Sequence, residues 1–265
     1  MKSFSSLTQN LDELKRKLPN LDELPDDDGD ARCPLCDGYG HVIDARGARP
    51  CICVTREVIS TGISESRIPN RFAEETLDTF DPRATSLKAC LAKARQYAND
   101  YSLNHTKGLY IHGPTGVGKT HIACGILKTL IMRRFDGVFY NVVDLLDAIR
   151  STYDPQSSPT PKGRLINDQN KQIFVLDDFG KQKTSSWVSD RLYALINRRY
   201  QDCKTIIVTS QIGFEELTRR VDSALASRII DMCEEIEIKA DDYRRRRAEE
   251  PHGGRWERPS APRAR

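Results

Sequence analysis

Beyond about residue 80 the apolar positions of this chain fall into two alternating patterns. Short runs rich in β-branched and aromatic residues occur at Leu109-Tyr110-Ile111, at 138–142 (Val-Phe-Tyr-Asn-Val), at 173–176 (Ile-Phe-Val-Leu), at 205–209 (Thr-Ile-Ile-Val-Thr) and at 233–239. They are too short for buried helices and read as strands. Between them the apolar positions recur at helical spacing over 83–103, from His121 through Leu127, over 144–150 and over 189–200. Strand alternating with helix predicts an α/β fold with a parallel five-stranded sheet flanked by helices, and runs with no polar alternation suit strands covered on both faces. Residues 154–163, polar and with three prolines, read as an exposed loop. No internal repeat is visible.

The N-terminal third has a different texture. Leu7, Leu11, Leu14 and Leu18, closed by Pro19, form a short amphipathic helix, and Asp26, Asp27, Asp28, Gly29 and Asp30 form an acidic linker. A helix this short needs a docking surface, on its own domain or on a partner. The organisation expected is helix and linker over 1–30, a small separate module over 31–66, the α/β domain over 67–240 and a basic tail over 241–265. From Arg244 onward that tail carries eight arginines against three glutamates, with Pro and Gly interspersed. It either tracks a phosphate backbone or is simply solvated. With 38% hydrophobic and 30% charged residues, no run of roughly 20 apolar residues and no signal-peptide pattern, the protein is expected in the cytoplasm and not in a membrane. The net charge of +3 says little about partners.

Chemistry enters at Gly113, Pro114, Thr115, Gly116, Val117, Gly118, Lys119 and Thr120, which fit the phosphate-binding pattern G-x-x-x-x-G-K-T between a strand and a helix opened by His121. Glycines let backbone N–H groups turn inward, and the helix N-terminus adds positive charge. Lys119 reaches the β- and γ-phosphates of ATP, and the Thr120 hydroxyl holds Mg²⁺. His121 counts among the nucleotide-binding residues as the next position of that helix. The second half of the site is Asp177-Asp178 at the C-terminal end of an apolar strand, where open α/β sheets place ligands. Asp177 binds Mg²⁺ and Asp178 orients or deprotonates the attacking water. Gln211, after Thr209-Ser210 at the end of the fourth strand, sits between that acid and the γ-phosphate. Arg228, just before the last strand, is either a local ion-pair partner or a finger reaching a neighbouring subunit.

Eight cysteines without a signal peptide point to thiols or metal, not disulfides. Cys33-Pro-Leu-Cys36 and Cys51-Ile-Cys53, fourteen residues apart, suit a tetrahedral Zn²⁺ site, with Gly38 and Gly40 permitting a tight knuckle. The C-x-C spacing of the second pair departs from the commoner C-x-x-C, and His41 is a substitute ligand. An iron–sulfur cluster is the rival metal. So small a module cannot fold on apolar burial, so metal would supply most of its folding free energy, about 10–16 kcal/mol for structural zinc. Cys90, Cys124, Cys203 and Cys233 read as small core residues.

Several of these segments together resemble one family: the cysteine pairs, Ile68-Pro-Asn-Arg-Phe72, the phosphate loop, Val175-Leu-Asp-Asp-Phe-Gly180, Trp187 with Arg198-Arg-Tyr200, Thr209-Ser210, Ser227-Arg228 and Asp242-Tyr-Arg244. The chain is similar, from about Cys33 to Arg244, to AAA+ helicase loaders of the DnaC/DnaI type and to the related IstB-like ATPases. The resemblance implies an ATP-dependent switch that self-associates into an arc or spiral, binds single-stranded DNA and delivers a replicative ring helicase of the DnaB type. It matches Arg228 to the trans arginine finger and Arg244 to a second sensor arginine. Gln211 stands where the family usually has Asn, which implies altered water positioning and slow hydrolysis. The short tail implies no full C-terminal lid. Lys181 and Lys183 with Trp187 form a candidate DNA surface, with Trp187 either stacking on bases or packed in the core. Two other functions fit the same residues: a transposition helper acting with a transposase on target DNA, and an ATP-switched binding module with little turnover.

Overall fold

In a computed structural model of the chain, the apolar runs form the expected parallel sheet. The structure describes residues 33, 36, 39–44, 47–82, 84–103, 107–153, 159–180 and 185–245, in two units that divide after Glu65. The expected N-terminal helix, the acidic linker, Lys181, Lys183 and the tail beyond Arg245 lie outside the described residues. In the first unit, β1 (His41–Asp44) and β2 (Gly47–Pro50) pair antiparallel, and α1 (Ile52–Glu65) follows at once.

The second unit opens on a short 3₁₀ turn, Asn70–Phe72, and continues through α2 (Thr85–Asp100), β3 (Gly108–His112), α3 (Lys119–Met132), β4 (Gly137–Asn141) and α4 (Val142–Ser151). Then come α5 (Pro159–Asn170), β5 (Ile173–Phe179), α6 (Ser186–Gln201), β6 (Thr205–Ser210), α7 (Phe214–Arg220), α8 (Ser223–Met232) and β7 (Cys233–Glu237). The five strands are parallel in the order β4-β5-β6-β3-β7. Every residue of β6 is buried, as befits a strand covered on both faces. Tyr110, Phe174, Leu176 and Val208 face a core shared with Leu192, Leu195, Leu225 and Ile229 from α6 and α8. The chain leaves β3 for the far edge and returns strand by strand, so a crevice opens beside the C-terminal end of β3, where such sheets bind ligands. No helix among the described residues is long and apolar enough to cross a membrane.

Three local readings need correction. Of the expected loop over 154–163, residues 154–158 lie outside the described residues and 159–163 form the start of α5, because Pro159 and Pro161 lie in a first helical turn, where proline is tolerated and its fixed φ is already helical. Helices α7 and α8 have no counterpart among the elements that the apolar spacing predicts. Asp222 caps α8 by accepting from the N–H groups of Ala224 (3.0 Å) and Leu225 (3.1 Å), and the buried Leu225, Ala226, Ile229 and Met232 follow at helical spacing. Cys203 is exposed in a turn, whereas Cys90, Cys124 and Cys233 are buried as expected.

Two buried cations hold loops to the sheet layer. Lys128 of α3, 2% exposed, donates to the carbonyls of Phe72 (2.6 Å), Ala73 (2.6 Å) and Glu75 (2.7 Å), and burial lowers its pKa. Arg199 of α6, 1% exposed, donates to the carbonyls of Gln169, Lys171, Gln172 and Thr205 and lies over the Phe174 ring. Burial lowers its pKa to about 10, leaving it a cation at neutral pH. Replacing it with leucine would strand four carbonyls, each worth about 1–3 kcal/mol when left unpaired and buried. Arg199→Leu is therefore expected to destabilise the domain by about 3 kcal/mol or more, read as a lowered denaturation midpoint; an unchanged midpoint would refute this role.

Candidate functional site

The phosphate loop joins β3 to α3. Gly118, the residue before α3, has φ +97°, and a β-carbon there would stand 2.6 Å from Phe80 Cε2, so both conformation and space call for glycine. Lys119, Thr120 and His121 form the first turn of α3, where N–H groups have no intrahelical acceptor and the helix end is positive. Loop and helix end make an anion cradle. Val117 is buried and anchors the loop, while Pro114 and Thr115 are exposed. Lys119 is 7% exposed, and its ammonium donates to the carbonyls of Gly113 (2.8 Å) and Pro114 (2.6 Å), inside the cradle.

The ends of β5 and β6 complete the site. Asp177 Oδ1 accepts hydrogen bonds from Thr120 Oγ1 (2.9 Å) and Thr209 Oγ1 (2.6 Å), and Thr209 Oγ1 in turn accepts from the Asp178 N–H (3.0 Å). Asp178 has φ +65°, at an irregularity in the β5–β6 register between Leu176 and Phe179. The irregularity breaks the alternation that would send Asp177 and Asp178 to opposite faces. Burial is the main influence on Asp177 and raises its pKa, against the two hydroxyl hydrogen bonds and the Lys119 charge. A hydroxyl and a carboxylate in contact at the mouth of a phosphate loop are the oxygen ligands Mg²⁺ takes in such sites, so Thr120 and Asp177 fit the ion.

Gln211 reaches the loop from the end of β6, its Nε2 donating to Thr115 Oγ1 at 2.8 Å. Arg244 is exposed, and the segment carrying it lies on the loop: the Tyr243 N–H donates to the Gly116 carbonyl (3.1 Å), and Asp242 Oδ1 accepts from the Arg244 N–H (2.9 Å). A β-carbon on Gly116, φ +78°, would stand 1.7 Å from that same Asp242 oxygen. The His121 ring packs toward residues 76–80, with Nε2 2.7 Å from the Thr76 carbonyl oxygen and the ring edge-on to Phe80. Sequence reasoning missed both this packing of residues 76–80 on the loop and Asp242. Only the Gly spacing hinted at a close approach.

Arg228 stands apart from this group. Its Nε donates to Asn197 Oδ1 (2.8 Å) and Nη1 to the Ala224 carbonyl (3.1 Å), with the Tyr193 and Tyr200 rings 4.7 and 5.8 Å away. None of these belongs to the phosphate loop and none is a carboxylate. Trp187 is half-buried against the core with the Arg150 guanidinium 4.9 Å over its ring, which leaves that face closed to a base.

In the first unit the four cysteines converge, their sulfurs all within 4.8 Å of one another. Cys33 and Cys51 sulfurs are 3.7 Å apart, those of Cys36 and Cys53 3.5 Å, and the Gly40 N–H donates to Cys36 Sγ at 3.3 Å. A tetrahedron of Zn–S bonds of about 2.3 Å has edges of about 3.8 Å, so the set fits a single ion better than a cluster of several. Burial raises the Cys51 and Cys53 pKa values, a cost that a bound cation removes by taking thiolates. His41 is exposed, its Nδ1 2.6 Å from the Tyr39 carbonyl oxygen, and is not part of the set.

Fold and site together define an ATP-binding P-loop protein of the AAA+ class, with ATPase activity. The chain belongs to the IstB-like ATP binding protein family, which matches residues 63–251. It is 24% identical over 246 residues to the phage-like element PBSX protein XkdC of Bacillus subtilis, covering 86% of this chain and 90% of that one. It is 28% identical over 142 residues to the replicative helicase loader DnaC of Escherichia coli K12, covering 53% of this chain and 55% of that one. Among solved structures, that of a DnaC helicase loader superposes with a TM-score of 0.60 at 27% identity, covering 64% of this chain and 100% of that one.

Lys119→Ala is expected to lower ATP turnover about 10²-fold or more, since it removes the cation inside the cradle. Unchanged turnover would overturn the site. In metal-free protein, Asp177→Asn is expected to raise the denaturation midpoint at neutral pH. The sign follows from the raised pKa, which makes the folded state lose stability as pH rises through it, a loss the neutral amide avoids. The difference should shrink on acidification and be accompanied by loss of Mg²⁺-dependent turnover; a gap independent of pH would contradict it.

Proposed function

We propose that this chain is an ATP-dependent loader that binds a replicative ring helicase of the DnaB type and single-stranded DNA, and delivers the helicase to the DNA in the cytoplasm. The observation that carries this reading is the match to a DnaC helicase loader over the whole of that structure's length, at a sequence identity that goes beyond a shared fold. In this reading Thr120 and Asp177 hold Mg²⁺, Asp178 handles the attacking water, Gln211 orients it through a longer arm than Asn and slows hydrolysis, and Arg244 senses the nucleotide. The cysteine cluster holds one Zn²⁺ and folds a docking module. Arg228 acts in trans in a head-to-tail assembly, a heterologous contact that generates arcs or spirals when it does not close.

Affinity capture with the host's hexameric helicase, with and without ATP and single-stranded DNA, tests the function. Nucleotide-dependent capture of the helicase is expected; capture of a transposase in its place, with activity on duplex target DNA, would replace this reading with that of a transposition helper. Metal analysis of protein purified without added metal should give about one zinc per chain. Cys51→Ser is expected to lose zinc and helicase binding and to keep ATP binding. An iron chromophore would overturn the zinc assignment.

The trans role has its own test. Arg228→Ala should bind ATP and fail to hydrolyse it, and mixing it with Lys119→Ala should recover part of the activity, because a mixed pair sets an intact loop against an intact arginine. A co-assembled mixture as inactive as either variant would refute the trans role.

A further inference from the structure

Two arginines on neighbouring elements are held in opposite ways. Arg199 is 1% exposed and spends both Nη groups on four backbone carbonyls, as a structural clamp does. Arg228 is half-buried, and of the five N–H donors of a guanidinium only two are used, Nε by Asn197 Oδ1 and one Nη1 by the Ala224 carbonyl. The other three, including both on Nη2, have no partner among the described residues. One face of the group lies over Tyr193 at 4.7 Å, with Tyr200, 44% exposed, at 5.8 Å marking the site as a surface one.

A long side chain fixed at one edge by a hydrogen bond and at one face by an aromatic ring has lost its rotamer freedom while its remaining edge still points N–H groups at whatever approaches. That is the arrangement a preorganised phosphate donor requires. We propose that Asn197 and Tyr193, on successive turns of α6, are positioning residues that hold Arg228 ready for the γ-phosphate of ATP bound to a neighbouring copy of this chain. The inference rests on the trans role of Arg228 and adds what makes that role efficient: the ordering is complete before the subunits meet, so it is not charged against the transition state.

Steady-state ATP hydrolysis by the assembled full chain tests it. Asn197→Leu and Tyr193→Leu are expected to lower kcat about 10- to 100-fold with KM for ATP and the denaturation midpoint unchanged, while Tyr193→Phe, which keeps the ring, retains activity. In an Arg228→Lys background, whose ammonium has no Nε to hold, Asn197→Leu should have no further effect. If Arg228→Ala hydrolyses ATP like the unaltered chain, the trans role itself fails and the proposal with it. If Arg228→Ala is inactive while Asn197→Leu and Tyr193→Leu turn over normally, the trans role stands and the positioning fails. Losses that persist in the Arg228→Lys background, or that come with a raised KM or a lowered midpoint, show a merely structural role and overturn the proposal.

Discussion

The Asp177 carboxylate is the constraint on which the nucleotide site depends. It is 7% exposed, and its Oδ1 takes hydroxyl hydrogen bonds from Thr120 and Thr209. Those three residues belong to α3, β5 and β6, so one buried oxygen fixes the phosphate loop against two strand ends. A buried charge is tolerated only when hydrogen-bonded and near an opposite charge, and here both conditions are met, by the Thr120 and Thr209 hydroxyls and by the Lys119 charge. The network costs stability and yields position: the same hydroxyl and carboxylate oxygens that satisfy each other are those a divalent cation takes.

The legibility of each part of the molecule follows from how local its cause is. Strands β3 to β6 are buried on both faces and therefore appear as unbroken apolar runs, visible without any knowledge of their neighbours. The phosphate loop is likewise local, since glycine spacing, lysine and threonine are all set by one turn of chain. Helix α5 was misread because proline is a breaker inside a helix and a starter in its first turn, and composition does not say which. Helix α8 carries its signals locally, a cap at Asp222 and an apolar stripe at helical spacing, but it is only ten residues long and runs straight into β7. The partners of Arg228 were not legible at all, because Asn197 lies 31 positions away and only packing brings it near.

Cations in this domain are sorted by what they are bonded to. Lys128 and Arg199 donate their hydrogen bonds to backbone carbonyls, which hold a charge in place without neutralising it, so they fix the strap at residues 72–75 and the turns around β5 and β6. Lys119 is held by two loop carbonyls in the cradle itself, where phosphate oxygens are far stronger acceptors for the same ammonium. Such a cation has a stronger acceptor to turn to wherever an anion enters the cradle, whereas Arg199 is enclosed by four carbonyls of its own domain.

The motif alone does not make the site, because segments far apart in sequence close around the loop. Residues 76–80 pack on Gly118 and His121, Gln211 bonds Thr115, and the chain beyond β7 returns to place Asp242 and Tyr243 on Gly116. Each glycine of the loop that carries a positive φ thus also admits a neighbour: Phe80 at Gly118, Asp242 at Gly116 and the Ile238 carbonyl at Gly113. Small size at these positions serves packing as much as backbone conformation, and it ties the loop to the edge of the sheet through β7. A nucleotide that moves the loop must therefore move, or be resisted by, the segment that carries Arg244.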